Sequence, residues 1–312
     1  MSSPRTAAAA GPHAGLEVLK LVACFGIVVF HLGLPGSTVG YAGLPVFMLV
    51  TTALLVPAAA ERPWRPFVAA KLRRLLWPWL AWSLLYALLQ GQLALMQGRS
   101  FWSWPEPSML LVGTYPHLWY LPFAALVTLG VGGCVHHVGR LATSPRQVAA
   151  WSLVAAALIP VCSHWLQQGP GAPFSQWLFV TPAIAFGIAC SGVPRGERAA
   201  DGSLGIAVAA AWLGAATDHW LGGRDLPVPY AVAVPAVALA WRLPWVAGPG
   251  LLRWTQASFG VYLLHHAVLL GLAWTALQLA AAPPAGLVLA IVFGGSLLLT
   301  VALRATRLRP LL

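Results

Sequence analysis

The first segment able to do chemistry is LEVLKLVACFGIVVFH, residues 16–31, which sets Glu17, Lys20 and His31 into an otherwise apolar run. In a helix, Lys20 and His31 differ by about 20° in azimuth and Glu17 and His31 by about 40°, so one face carries all three. Glu17 and Lys20 form an i,i+3 pair that can neutralise each other. Along the axis, Lys20 lies about 16 Å and Glu17 about 21 Å from His31, too far for Glu17 to orient the imidazole. A polar stripe crossing most of an apolar helix lines a cavity rather than facing lipid. The competing reading is a snorkelling interface pair and a satisfied histidine at a helix end.

Three further segments carry polar side chains in apolar surroundings. FVAAKLRRLLWPWLAWSLLYAL, residues 67–88, places Lys71, Arg73 and Arg74 at the start of a helix. Cations there either follow the bias of basic residues toward the cytoplasmic face or clamp the phosphates of an anionic cofactor. HLWYL, residues 117–121, contributes His117 and Trp119, and SFGVYLLHH, residues 258–266, contributes Ser258, Tyr262 and His265. The last three are spaced i, i+4, i+7 and share one helix face. His265 is about 15 Å from the near end of its helix, so this stripe either lines a site or binds helices to one another by hydrogen bonds. Charge at mid-bilayer costs at least about 2.5–3.5 kcal/mol, which makes buried ionisable groups functional candidates. Asp218-His219 and His136-His137 are read as solvated helix ends. Cys24, Cys134, Cys162 and Cys190 lack CxxC spacing, so neither a disulfide framework nor a metal centre is expected.

These residues need a membrane scaffold to position them. Only 8% of the 312 residues are charged and 59% are apolar, whereas soluble domains carry roughly a quarter charged residues. A spanning helix takes about 20 mostly apolar residues. Ten segments qualify: 15–33, 43–60, 74–96, 117–135, 147–164, 174–192, 203–221, 226–241, 255–279 and 284–303. The eighth is short and holds Pro227, Pro229 and Pro235. With this alternation, fifteen of the 18 Lys and Arg residues fall on the side of the N-terminus, Arg99 and Arg224 fall on the other, and Lys20 lies within a helix. That bias places both termini in the cytoplasm, in a cell inner membrane. It also accounts for the net charge of +11 without nucleic acid, because the cations are scattered between apolar runs rather than gathered on one element. Tryptophans near helix ends fit the two interfaces. The expected fold is therefore all-α: a polytopic bundle of about ten transmembrane helices. Residues 15–312 form one domain behind a disordered cytoplasmic tail, residues 1–14. Residues 15–34 are read as a retained first helix, not a signal peptide, since Glu17 and Lys20 interrupt the run.

In this order, the four segments resemble the integral membrane acyltransferase-3 family. That family's first helix carries an acidic residue, a Leu-Arg three positions on and a distal histidine, where this chain has Glu17, Lys20 and His31. Its third helix runs from basic residues into Leu-Leu-x-Pro-aromatic, matched by Lys71, Arg74, Pro78 and Trp79. HLWYL and SFGVYLLH resemble two later segments. The resemblance implies transfer of an acyl group, most simply acetyl from acetyl-CoA or another acyl-CoA, to a sugar hydroxyl. The acceptor would be a surface polysaccharide, a lipid-linked glycan or a related glycoside. It implies His31 as general base in direct transfer, a task suited to an imidazole with a pKa near 6.5, with an acyl-histidine intermediate as the alternative. Glu17, Lys20, Lys71, Arg73 and Arg74 would bind the donor, and His117, Trp119, Ser258, Tyr262 and His265 would bind the acceptor or form the polar core. No metal is implied. Lys20 and Lys71 stand where arginine is usual, keeping the charge but losing the planar fork, and Thr51-Thr52 replaces Ser-Gly. A transporter or flippase of a small molecule or lipid-linked sugar is the rival reading, although no repeated halves are visible. A non-catalytic acceptor-binding subunit is a third.

Overall fold

The computed structural model describes residues 13–194, 201–243, 248–278 and 283–312. The expected tail lies outside these residues apart from His13 and Ala14, and Ala14 already begins a helix. Among the described residues, every segment expected to cross the membrane contains a helix. In chain order the helices are α1 (Ala14–His31), α2 (Ser37–Gly40), α3 (Gly43–Glu61), α4 (Trp64–Met96), α5 (Met109–Val112), α6 (Tyr120–Val138) and α7 (Pro145–Gln167). They continue with α8 (Phe174–Ser191), α9 (Asp201–Trp220), α10 (Pro227–Arg242), α11 (Pro249–Thr255), α12 (Ser258–Gln278), α13 (Ala285–Leu289) and α14 (Ser296–Arg304). A π-helical turn, Ala290–Gly295, joins α13 to α14 in one span. Among the described residues, 8 helical segments are long and apolar enough to cross a bilayer. Helices α9 and α10 fall outside that set; α10 has only 16 residues and holds Pro235.

Helix α4 begins at Trp64 rather than at 74 and runs for 33 residues. Its length of about 50 Å exceeds a hydrocarbon core of about 30 Å, so its basic first turns can stand outside the apolar layer. Lys and Arg are good helix formers, and nothing in their chemistry ends the helix where the hydropathy falls. Its exposed residues include Trp77, Leu80, Leu84 and Leu88, a surface suited to lipid rather than water.

Helix α3 packs against α8, α6, α10 and α1, and α8 packs in turn on α7. Helix α1 also touches α12. Without a hydrophobic force between helices in lipid, such contacts rely on close backbone approach at small residues. Gly26 of α1 and Gly40 of α2 show why: a Cβ built on Gly26 would sit 2.8 Å from the Gly40 carbonyl oxygen. Proline within the bundle is tolerated where neighbours satisfy the disturbed backbone. Next to Pro182 in α8, the Tyr230 hydroxyl donates to the Phe179 carbonyl at 2.8 Å and accepts from the Ala183 N–H at 3.1 Å.

Asp218 corrects the sequence reading. It is buried, while its neighbour His219 is exposed. Helix α9 closes with Gly222 at φ 87°, and the Gly223 N–H returns to the Asp218 carbonyl at 2.8 Å. This Schellman turn folds back over the Asp218 carboxylate, so that a Cβ at Gly223 would overlap it.

Candidate active site

Helices α1 and α12 set the axis of the site. Cys24 donates through Sγ to the Ser258 carbonyl at 2.9 Å. Seven residues further along each helix, the rings of His31 and His265 lie 5.3 Å apart. The two helices therefore run parallel in fixed register, each rising about 10 Å between these two levels.

At the end bearing the α1 N-terminus, a cavity of about 500 Å³ is lined by Glu17, Lys20, Arg74, Ser258, Arg304 and Arg309, among others. Four side-chain cations thus face one side-chain carboxylate, and that carboxylate is already paired: Lys20 Nζ donates to Glu17 Oε1 at 2.7 Å. Arg304 reaches Gln256 through Nη2 at 3.2 Å, while its Nη1 is buried without a hydrogen-bond partner. The last turn, Arg309–Leu311, is fixed by Trp82, whose indole N–H donates to the Leu311 carbonyl at 2.8 Å. Of the three cations expected in a phosphate clamp, only Arg74 lines this cavity. Lys71 lies over the ring of Phe67, 5.8 Å from its centroid, and Arg73 is exposed elsewhere on α4. Arg304 and Arg309 are the cations the sequence reading missed; their only signal was the charge bias at the chain's end.

At the opposite end of α1, a cavity of about 250 Å³ is lined by His31, His117, Trp119, Tyr262, Tyr41 and Gln176, among others. A further space of about 400 Å³ shares Phe30, Tyr41 and Gln176 with it and adds Ser175, Arg224 and Asp225. The two spaces together bring aromatic faces and hydrogen-bonding side chains to the end of α1 where His31 is exposed.

The loop before α6 is held by α4. Gly113 adopts φ 86°, and a Cβ there would come within 2.9 Å of the Trp79 indole nitrogen and 2.8 Å of the Ser83 hydroxyl. Thr114 donates to the Ser83 carbonyl and Tyr262 to the His117 carbonyl. These contacts carry His117 into the bundle, where it is 4% exposed. Its ring packs on Tyr86, His265 and His266, at 5.2, 5.1 and 4.5 Å between centroids. The α12 turn bearing the histidine pair is anchored in the same way. The Tyr86 hydroxyl donates to the Leu263 carbonyl at 2.8 Å and accepts from the Ala267 N–H at 3.0 Å. Tyr86 is thus a positioning residue, invisible to the sequence reading because nothing local ties it to α12. Tyr86→Phe should remove both bonds, and because the Ala267 N–H and Leu263 carbonyl can still pair with each other within α12, stability should fall by about 0.5–1.5 kcal/mol. Differential scanning fluorimetry in detergent would register it, and an unchanged midpoint would contradict the anchoring role.

His266 belongs to the same face as Tyr262, four residues away, so the spacing that singled out His265 also pointed to it. Its ring lies 4.5 Å from His31 and 4.3 Å from His265. Thr51, at the divergent Thr-Thr pair, is bonded to the Tyr120 hydroxyl at 2.9 Å.

The described residues thus form a helical bundle of membrane type, with a basic cavity and an imidazole-lined aromatic cavity at opposite ends of one helix. The family model described as an acyltransferase domain matches residues 13–305, nearly the whole chain, and the chain belongs to that acyltransferase-3 family. Its chemistry is therefore acyl transfer in a multi-pass membrane protein. No curated relative and no solved structure matches it.

Proposed function

We propose that the chain transfers an acyl group, most simply acetyl from acetyl-CoA, to a hydroxyl of a carbohydrate or glycoside on the far side of the membrane. The carrying observation is that α1 presents Lys20 to a cavity ringed by four cations and His31 to an aromatic and polar cavity. The basic cavity suits the phosphates of CoA, with Arg74, Arg304 and Arg309 as donors of charge-assisted hydrogen bonds. The aromatic faces and the Gln176 amide of the outer cavity, with the Arg224 guanidinium and Asp225 carboxylate of the neighbouring space that shares Phe30, Tyr41 and Gln176 with it, suit a sugar ring and its hydroxyls.

The pantetheine arm would follow α1 for the roughly 16 Å between Lys20 and His31, passing the Cys24–Ser258 seam, which must part to admit it. His31 then takes the proton of the acceptor hydroxyl as its oxygen attacks the thioester carbonyl. A C–O bond forms, the C–S bond breaks, and the proton is returned to the departing thiolate to give CoA-SH. Holding both substrates in one line supplies much of the rate by removing a bimolecular encounter. The charge bias of the loops orients the basic cavity toward the cytoplasm and, in a bacterial envelope, the histidine cavity toward the periplasm.

Sealed proteoliposomes of known orientation test this reading. Acetyl-CoA supplied at the basic end and a panel of glycosides at the histidine end should give free CoA and an acetylated glycoside, and swapping the two compartments should give neither. Glycoside crossing the bilayer with acetyl-CoA intact would replace the transferase reading with the transporter.

A further inference from the structure

Three imidazoles meet at the wall of the outer cavity, which only His31 of the three lines, and the proposed reaction uses only that one. His31 ends α1, while His265 and His266 are consecutive on α12, and one ring nitrogen from each lies within 4.8 Å of the others. The sequence holds no metal-ligand spacing because these ligands come from helices at opposite ends of the chain.

The hydrogen bonding leaves lone pairs bare. His265 Nδ1 lies 2.7 Å from the Tyr262 carbonyl oxygen, so it is the nitrogen that carries the proton, and Nε2 keeps its lone pair. That Nε2 and the Nδ1 of His266 are buried without hydrogen-bond partners. Native interiors seldom leave such atoms unpaired without a reason. The backbone carbonyl behind His265 is the kind of outer partner that fixes the tautomer of a metal-bound imidazole.

We propose that His31, His265 and His266 bind a borderline transition-metal ion, zinc(II) or a first-row neighbour, and that the ion inhibits acyl transfer by occupying the lone pair of His31. The inhibition rests on His31 acting as the base; the binding does not. Imidazole nitrogen suits zinc, cobalt, nickel and copper, whereas magnesium and calcium prefer oxygen. With metal–nitrogen bonds near 2.0–2.1 Å, tetrahedral ligands stand about 3.4 Å apart. Binding therefore requires the His31 and His266 rings to turn toward His265, which its bond to the Tyr262 carbonyl holds in place.

Cobalt(II) titration of the full-length, chelator-stripped protein in detergent tests the site. One cobalt per chain should bind with the visible bands of a low-coordinate nitrogen site, and His266→Ala should abolish them. His266→Cys should retain the ion and add a thiolate-to-cobalt charge-transfer band, which a misfolded variant would not show. In parallel, zinc should suppress CoA release, and a chelator should restore it. His266→Ala should weaken that inhibition by at least about 10–100-fold, the loss that even outer-shell changes cause, each protein being normalised to its own metal-free rate. Absence of a stoichiometric cobalt spectrum overturns the site and leaves the base assignment standing. Cobalt binding with undiminished acyl transfer overturns the inhibition, and the role of His31 as base with it.

Discussion

His31→Ala is expected to lower acyl transfer by about 10²–10⁴-fold, the usual contribution of a positioned general base. The loss should fall on kcat, because the phosphates that anchor the donor would dock at the other end of α1. The fold should tolerate the change. His31 is exposed at the cavity wall, and its truncation strands no hydrogen bond of the bundle. Its neighbours Phe30 and Tyr41, which stack at 4.0 Å between ring centroids, keep their contact. The measurement is CoA release in detergent with a competent glycoside, beside a thermal melt of the same preparation. A rate within about threefold of wild type at equal melting temperature would remove His31 from the chemistry, since that is far below the smallest effect of a lost base. A fall in rate that tracks a fall in stability would show only that His31 supports the bundle.

The second large effect concerns the donor. Arg74→Ala and Arg304→Ala should each raise the KM for acetyl-CoA by about 10–150-fold, corresponding to the loss of one hydrogen bond to a charged group worth about 1.5–3 kcal/mol. Arg304 is the sharper case, because its Nη1 is already buried without a partner beside the cavity. Acetyl-pantetheine, which lacks the nucleotide phosphates, provides the control. It should be a poor donor for the native chain and equally poor for both variants. Lys71→Ala and Arg73→Ala should leave the KM near its native value, since neither side chain lines the cavity. If instead Lys71→Ala raised the KM as much as Arg304→Ala, the donor phosphates would lie on the outer surface of α4, and the basic cavity would lose its assignment. Raised salt should weaken donor binding in the native chain more than in the variants.

Much of the scaffold was legible without coordinates. Hydropathy is a property of a short window, and lipid enforces it on every spanning residue, so all ten segments could be read from composition and emerged as helices. The Glu17–Lys20 ion pair was equally legible, because i,i+3 neighbours on a helix meet whatever surrounds them. Boundaries were read less well where hydropathy is silent. The basic turns from Trp64 continue α4 beyond the apolar stretch. At Asp218, the turn through Gly222 and Gly223 buries a carboxylate that its position near a helix end would leave in water.

The sequence by itself therefore determined the class of fold, the helical faces on which polar residues lie, and the family to which the chain belongs. These follow from periodicity and from motifs that stay within one element. Only the tertiary structure decided what those faces meet. The gathering of His31, His117, His265 and His266 depends on the rotation and register of α1 against α12, held by contacts such as Cys24 on Ser258, 234 positions apart. The basic cavity draws Arg304 and Arg309 from the chain's far end, while Lys71 and Arg73 stand outside it on a helix whose sequence looked better suited. Tyr86 reaches the backbone of α12 from α4. Each of these is a contact between helices, and a helix's own sequence sets which residues share a face but not which neighbour that face is turned toward.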